Sequence, residues 1–192
     1  MQSTLSHEVA SLSAGGMRVD FSRAGDRYAH AIYLVDGDAE ICVLESVEGD
    51  SSDVWPPSPP LQALEFEKWT DGGRLALLVG MAGRNHWSVS AELDPQLDQV
   101  VCDVACRLQE DPSEPGNLRS SYRVHGTMEL DASNHLVLVH VPEGGCELRV
   151  EPVEAAPVDF AIAGDHLVLS PRPEGNGLPR TARWKYVIRR VR

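Results

Sequence analysis

Apolar and polar residues alternate along most of this chain with a period of two. "HWSVSAEL", residues 86–93, shows it well: Trp87, Val89, Ala91 and Leu93 fall on one side, His86, Ser88, Ser90 and Glu92 on the other. Side chains of an extended strand point alternately to opposite faces, so this pattern predicts a strand with one dry and one wet face. The same reading applies to "MRVDFS", "HAIYLV", "AEICVLES", "LQALEFE", "RLALLVG", "QVVCDVACRL", "SYRVHGTMEL", "HLVLVHV", "CELRVEP", "VDFAI", "HLVLS" and "RWKYVIRRV". Between the runs stand "DGD", "DGG", "DPQLD", "DASN", "PEGG" and "AGD". Gly and Asn accept positive φ, and Asp bonds its own following backbone, so these are turns. Gaps this short favour antiparallel hairpins. Sustained 3.6-residue apolar periodicity is absent, and few helices are expected.

The expected fold is all-β: an antiparallel β-sandwich, or a flattened barrel, of roughly 11–13 short strands. The chain of 192 residues reads as a single β-rich domain, 1–192. A Pro-rich loop interrupts it at about 48–61, and residues 1–14 read as a short helix or a loose end. Trp55 lies in that loop and offers a docking element for a protein partner; the simpler reading is that it pins the loop to the body. "QEDPSEPGNLRSS" is acidic and turn-rich but lacks the spacing of a calcium loop.

Charge and cysteine usage narrow the function classes. There are 29 acids against 17 Lys and Arg, and the formal net charge is −12. The excess is uneven, because the segment from Arg172 onward holds seven bases and one acid. An acidic body repels nucleic acid and anionic lipid. The basic end reads as a final strand in which Arg183, Lys185 and Arg189 pair with acids on neighbouring strands. No apolar run reaches the ~20 residues that span a bilayer. The N-terminus has neither the basic nor the apolar region of a secretory signal, so cytoplasm is the default compartment. Cys42, Cys102, Cys106 and Cys146 form no CxxC pair, and buried reduced thiols are expected. Cys102 and Cys106 share one face about 13 Å apart, too far to bridge.

Candidate chemistry gathers on the wet faces of three runs. "DPQLDQ" closes a hairpin between "HWSVSAEL" and "QVVCDVACRL", which sets Ser88 or Ser90 across from Asp103 and puts Arg107 near His86. In "SYRVHGTMEL", Tyr122, Val124, Met128 and Leu130 read as dry, with Arg123, His125, Thr127 and Glu129 as wet. If this strand lies beside the other two, the polar rows merge. The candidate ligand-binding set is then His86, Ser88, Asp103, Arg107, Arg123 and His125. Two Arg side chains suit a carboxylate or phosphate, and the hydroxyls and His suit a sugar.

The chain lacks the nucleophile elbow GxSxG, the phosphate loop GxxxxGK[ST], the zinc motif HExxH and dinucleotide-type glycine spacing. Glu65 and Glu67 share a face and read as solvent-facing acids. The expectation is a non-enzymatic binding module for a small polar ligand or carbohydrate, with no metal and no cofactor. The alternatives are a carbohydrate-active β-sandwich enzyme of epimerase or lyase type, using His86 and His125 with Glu92 or Glu129, and a plain protein-interaction domain.

Overall fold

The computed structural model describes residues 9–68, 74–112, 116–133, 135–142, 145–172 and 177–191. It is nearly all β. Fifteen strands follow in chain order: β1 (Ala10–Ala14), β2 (Met17–Ala24), β3 (Arg27–Asp36), β4 (Ala39–Ser46), β5 (Ala63–Lys68), β6 (Arg74–Ala82), β7 (Asn85–Asp94), β8 (Gln99–Leu108), β9 (Ser120–Val124), β10 (Thr127–Asp131), β11 (Leu136–Val141), β12 (Cys146–Pro152), β13 (Val158–Ala163), β14 (His166–Pro171) and β15 (Arg180–Val191). They form a seven-stranded sheet, β1-β2-β3-β4-β9-β14-β13, and an eight-stranded sheet, β10-β11-β12-β15-β8-β7-β6-β5. Both sheets keep two edges, so the architecture is an open β-sandwich. Among the described residues no helix is long and apolar enough to cross a membrane.

Two expected elements differ from the structure, and together they account for fifteen strands from thirteen apolar runs. Residues 10–14, expected as helix or loose end, form β1, because Leu12 enters the core while the strand pairs with β2; residues 1–8 lie outside the described residues. "SYRVHGTMEL" is two strands. The chain leaves the seven-stranded sheet at His125–Gly126 and enters the eight-stranded sheet as β10. A Cβ on Gly126 would run into the backbone carbonyl of His140 on β11, so the crossing needs glycine. The dry-face reading of this run holds for Tyr122 and Val124 but not for Leu130, which is exposed.

The inner faces supply one core cluster. Trp87, Val89, Ala91 and Leu93 of β7 and Cys102, Val104 and Cys106 of β8 are all buried, as their alternation predicts. Trp87 packs edge-on against Trp184 of β15, ring centroids 6.1 Å apart. β15 lies between β12 and β8 and carries the basic end into the sheet. Arg183 and Lys185 both pair with Asp103 of β8, and Arg189 reaches Glu151 of β12. The Pro-rich segment is packed against the body, with Pro59, Pro60 and Leu61 buried and Trp55 half-buried against the core. It is fastened at both sheets: Tyr28 N donates to Leu61 O at 2.6 Å, and Gln62 N donates to Val79 O at 2.8 Å. The pinning reading of Trp55 matches this packing.

Candidate functional site

The outer face of the eight-stranded sheet is built in cross-strand rows. Directly opposite residues share a face, so the register puts Met81, His86, Arg107 and Thr181 in one row across β6, β7, β8 and β15. The next row is Val79, Ser88, Ala105 and Arg183, and the third is Leu77, Ser90, Asp103 and Lys185. β6 explains the character of this face. It is apolar on both sides: Ala76, Leu78 and Ala82 point into the core, while Leu77, Val79 and Met81 remain 36%, 54% and 46% exposed. A strand apolar on both faces is the pattern of a strand covered on both faces.

An open groove of about 590 Å³ runs over the first two rows. Val79, Gly80 and Met81 form one wall, and His86, Ser88, Arg107 and Thr181 line the polar side. Gln62 closes one end. Its side-chain amide donates to Met81 O at 3.2 Å and accepts from Met81 N at 3.1 Å, so it extends the sheet edge where β5 stops. Gly80 permits this, because a Cβ there would overlap the Pro60 carbonyl.

The electrostatics of the rows differ. Asp103 is engaged by Arg183, whose Nε lies 2.7 Å away, and by Lys185 at 3.7 Å. Its charge is already matched within the sheet. Arg107 is exposed, sits directly across from His86, and has no acid partner among the described residues. A bidentate guanidinium beside an imidazole and two hydroxyls suits a carboxylate or phosphate.

The six candidate residues therefore divide. His86, Ser88, Asp103 and Arg107 do lie on one polar face, with Ser90 rather than Ser88 opposite Asp103. Arg123 and His125 do not join them. β9 pairs with β4 and β14 in the other sheet, so the three polar rows never merge. Arg123 lies 3.7 Å from Asp165, and His125 Nε2 lies 2.9 Å from Glu45 Oε2. Alternation fixes which side of a strand a residue takes but carries nothing about which sheet the strand joins. The residues of the enzyme alternative are dispersed as well. His86 and Glu92 share the outer face of β7 but stand six residues apart, about 20 Å; Glu129 lies near His140 at 4.0 Å.

Inside the sandwich lies a polar chain that alternation did not reveal. His30 Nε2 is 2.9 Å from the Tyr122 hydroxyl, which is 2.7 Å from the Tyr186 hydroxyl. Trp184 Nε1 donates to Ser120 Oγ at 3.1 Å beside it. Burial lowers the His30 pKa to about 4 and pushes both phenols well above their ordinary range. Tyrosines on a dry face read as plain core residues in sequence; the fold supplies the partners of Tyr122, with Tyr186 from the facing sheet and His30 from β3 of its own sheet.

The chain matches no family model, no curated protein and no solved structure. What the groove can hold follows from its own residues.

Proposed function

We propose that this protein is a non-enzymatic binding module whose ligand is a small anion with an apolar portion, held in the groove of the eight-stranded sheet. The supporting observation is Arg107: a guanidinium without an acid partner among the described residues, opposite His86, at the polar edge of an exposed apolar stripe. Arg107 binds the carboxylate or phosphate, Ser88 and Thr181 supply hydroxyls, and Val79 and Met81 cover the apolar part. Small-ligand sites combine a mainly apolar wall with a few convergent polar groups, which is the make-up of this groove.

A screen of carboxylated and phosphorylated metabolites and acidic sugars, read by thermal shift and then calorimetry, tests the reading. A ligand is expected whose affinity falls at least ~10-fold in Arg107→Ala, the order expected for a lost charged hydrogen bond. Arg123→Ala, on the other sheet, leaves it unchanged. A ligand indifferent to Arg107→Ala, or none from the screen, overturns it. A second reading rests on the exposed row Leu77, Val79 and Met81, which a protein partner could cover. Binding of a protein that is lost in Val79→Lys and kept in Arg107→Ala favours that one.

A further inference from the structure

On the outer face of the other sheet, three side chains from one strand and a turn come together. The ligand atoms of Cys42, Glu45 and His125 all lie within 4.8 Å of one another. Cys42 and Glu45 are three residues apart on β4, a spacing that puts two residues of a regular strand on opposite faces. A β-bulge brings them together. In the register of β3 with β4, Ile32 pairs with Leu44 and Tyr33 with Cys42, which leaves Val43 without an opposite partner. Val43 and Leu44 consequently both point into the core, at 0% and 1% exposure, and Cys42 and Glu45 both turn outward. A bulge of this kind re-aims side chains and is common beside functional sites. The third group is held to the same bulge: His125 N donates to the Val43 carbonyl at 3.0 Å. That bond fixes the turn at which the chain leaves this sheet, and it delivers the imidazole to Glu45.

We propose that Cys42, Glu45 and His125 form a zinc-binding site with one open coordination position. Thiolate, imidazole and carboxylate together are the donor set of a borderline-soft divalent ion, and zinc takes all three. At zinc–ligand distances of about 2.0–2.3 Å, tetrahedral ligand atoms stand about 3.3–3.7 Å apart. The His125–Glu45 contact, now 2.9 Å, opens by a few tenths of an ångström to admit the ion, which side chains 42% and 44% exposed can do. Tyr33, directly opposite Cys42 on β3, is placed to serve as an outer-shell partner of the sulfur. Three protein ligands leave the fourth position facing a pocket of about 410 Å³ bordered by Gly126, Val141 and Pro142. Three ligands with an open place for water or a small molecule is the arrangement of reactive zinc sites, whereas structural sites are closed by four. Binding releases the Cys42 proton to solvent. The site is on the opposite sheet from the Arg107 groove and stands independently of the function proposed for it.

Titration of the untagged, reduced, metal-free full chain with cobalt(II), and competition with zinc(II), tests the site. One cobalt per chain is expected, with tetrahedral visible absorption and a sulfur-to-cobalt charge-transfer band, and zinc displaces it. Cys42→Ser removes the charge-transfer band; Glu45→Gln and His125→Ala each weaken binding by at least ~10-fold. The metal-free melting temperature of His125→Ala stays at the wild-type value, because that ring is exposed, so loss of cobalt there reports ligation and not unfolding. Absence of stoichiometric binding overturns the proposal. So does a charge-transfer band that survives both Cys42→Ser and His125→Ala, since the sulfur would then belong to another cysteine.

Discussion

The hydroxyls of Tyr122 and Tyr186 lie 2.7 Å apart although their strands belong to opposite sheets. The bond joins the layers of the sandwich through its interior, and His30 continues it at 2.9 Å from Tyr122. Tyr122→Phe leaves both His30 Nε2 and the Tyr186 hydroxyl short of a partner. It is expected to cost about 1–3 kcal/mol in urea unfolding, the penalty for unsatisfied buried polar groups. Tyr186→Phe costs less than Tyr122→Phe, because it strands one group fewer. The double variant costs less than the sum of the two. Additive losses would mean that the hydroxyls are not coupled.

His86 and Trp87 are neighbours in sequence and opposites in energy. Trp87 is 2% exposed and packs on Trp184, whereas His86 faces the open groove. Trp87→Ala is expected to cost ~3–5 kcal/mol and His86→Ala less than ~0.5 kcal/mol. Chemical denaturation of both variants checks this; comparable losses would reject the face assignment of β7.

Two groups near one end of the sandwich make opposite contributions to acid stability. Burial lowers His30 to about 4 from an ordinary 6.5, so it folds neutral. Its contribution is complete above pH 6.5 and is lost as pH falls toward 4. Burial raises Glu48 from 4.5 to about 7, so in the fold it stays protonated at pH values where an exposed glutamate is ionised. Its contribution is complete below pH 4.5 and is lost as pH rises toward 7. Ser46 links the two, donating to Glu48 Oε1 at 2.6 Å and accepting from His30 N at 2.8 Å. Between pH 4.5 and 6.5 the two slopes oppose each other. Glu48→Gln is expected to unmask a stability loss on acidification across that window of about 1–3 kcal/mol. A Glu48→Gln profile parallel to wild type would show that Glu48 is ionised in the fold.

The thiols divide by burial. Cys102 and Cys106 are buried and pushed up to about 12, with Cys42 at about 11 and half-buried. A thiolate reagent at neutral pH is expected to leave Cys102 and Cys106 unmodified in the native protein and to modify all four cysteines in denaturant. Rapid native modification of Cys102 or Cys106 would overturn the inward orientation of β8.

Much of the fold is legible in the chain because a strand's two faces are set by local geometry. "HWSVSAEL" and "QVVCDVACRL" place Trp87, Val89, Cys102 and Cys106 inward wherever the strands are put. "DPQLDQ" is short enough to bring Arg107 near His86 across the hairpin, while the exact register, with Ser90 rather than Ser88 opposite Asp103, is set in the sheet. The turn residues mark where most strands stop for equally local reasons. The Arg107 half of the candidate site is legible on these grounds.

Sheet membership is a different kind of fact. Arg123 and His125 have the same polar parity as Arg107, but β9 pairs with β4 and β14 because its dry residues, Tyr122 and Val124, complete that sheet's half of the core. No period in the sequence encodes that choice; it is made by which packing buries the most apolar area at once. The bulge at Val43 is tertiary for the same reason: burying Val43 and Leu44 together outweighs one lost pairing, and it turns Cys42 toward Glu45. The sequence by itself determined the all-β alternation, the turns and the nearness of His86 and Arg107, since each depends on residues close along the chain. Only the tertiary structure decided that His125 faces Cys42 and Glu45 and that Tyr122 meets Tyr186, since each contact joins strands far apart in sequence that the closing of two sheets over one core brings together.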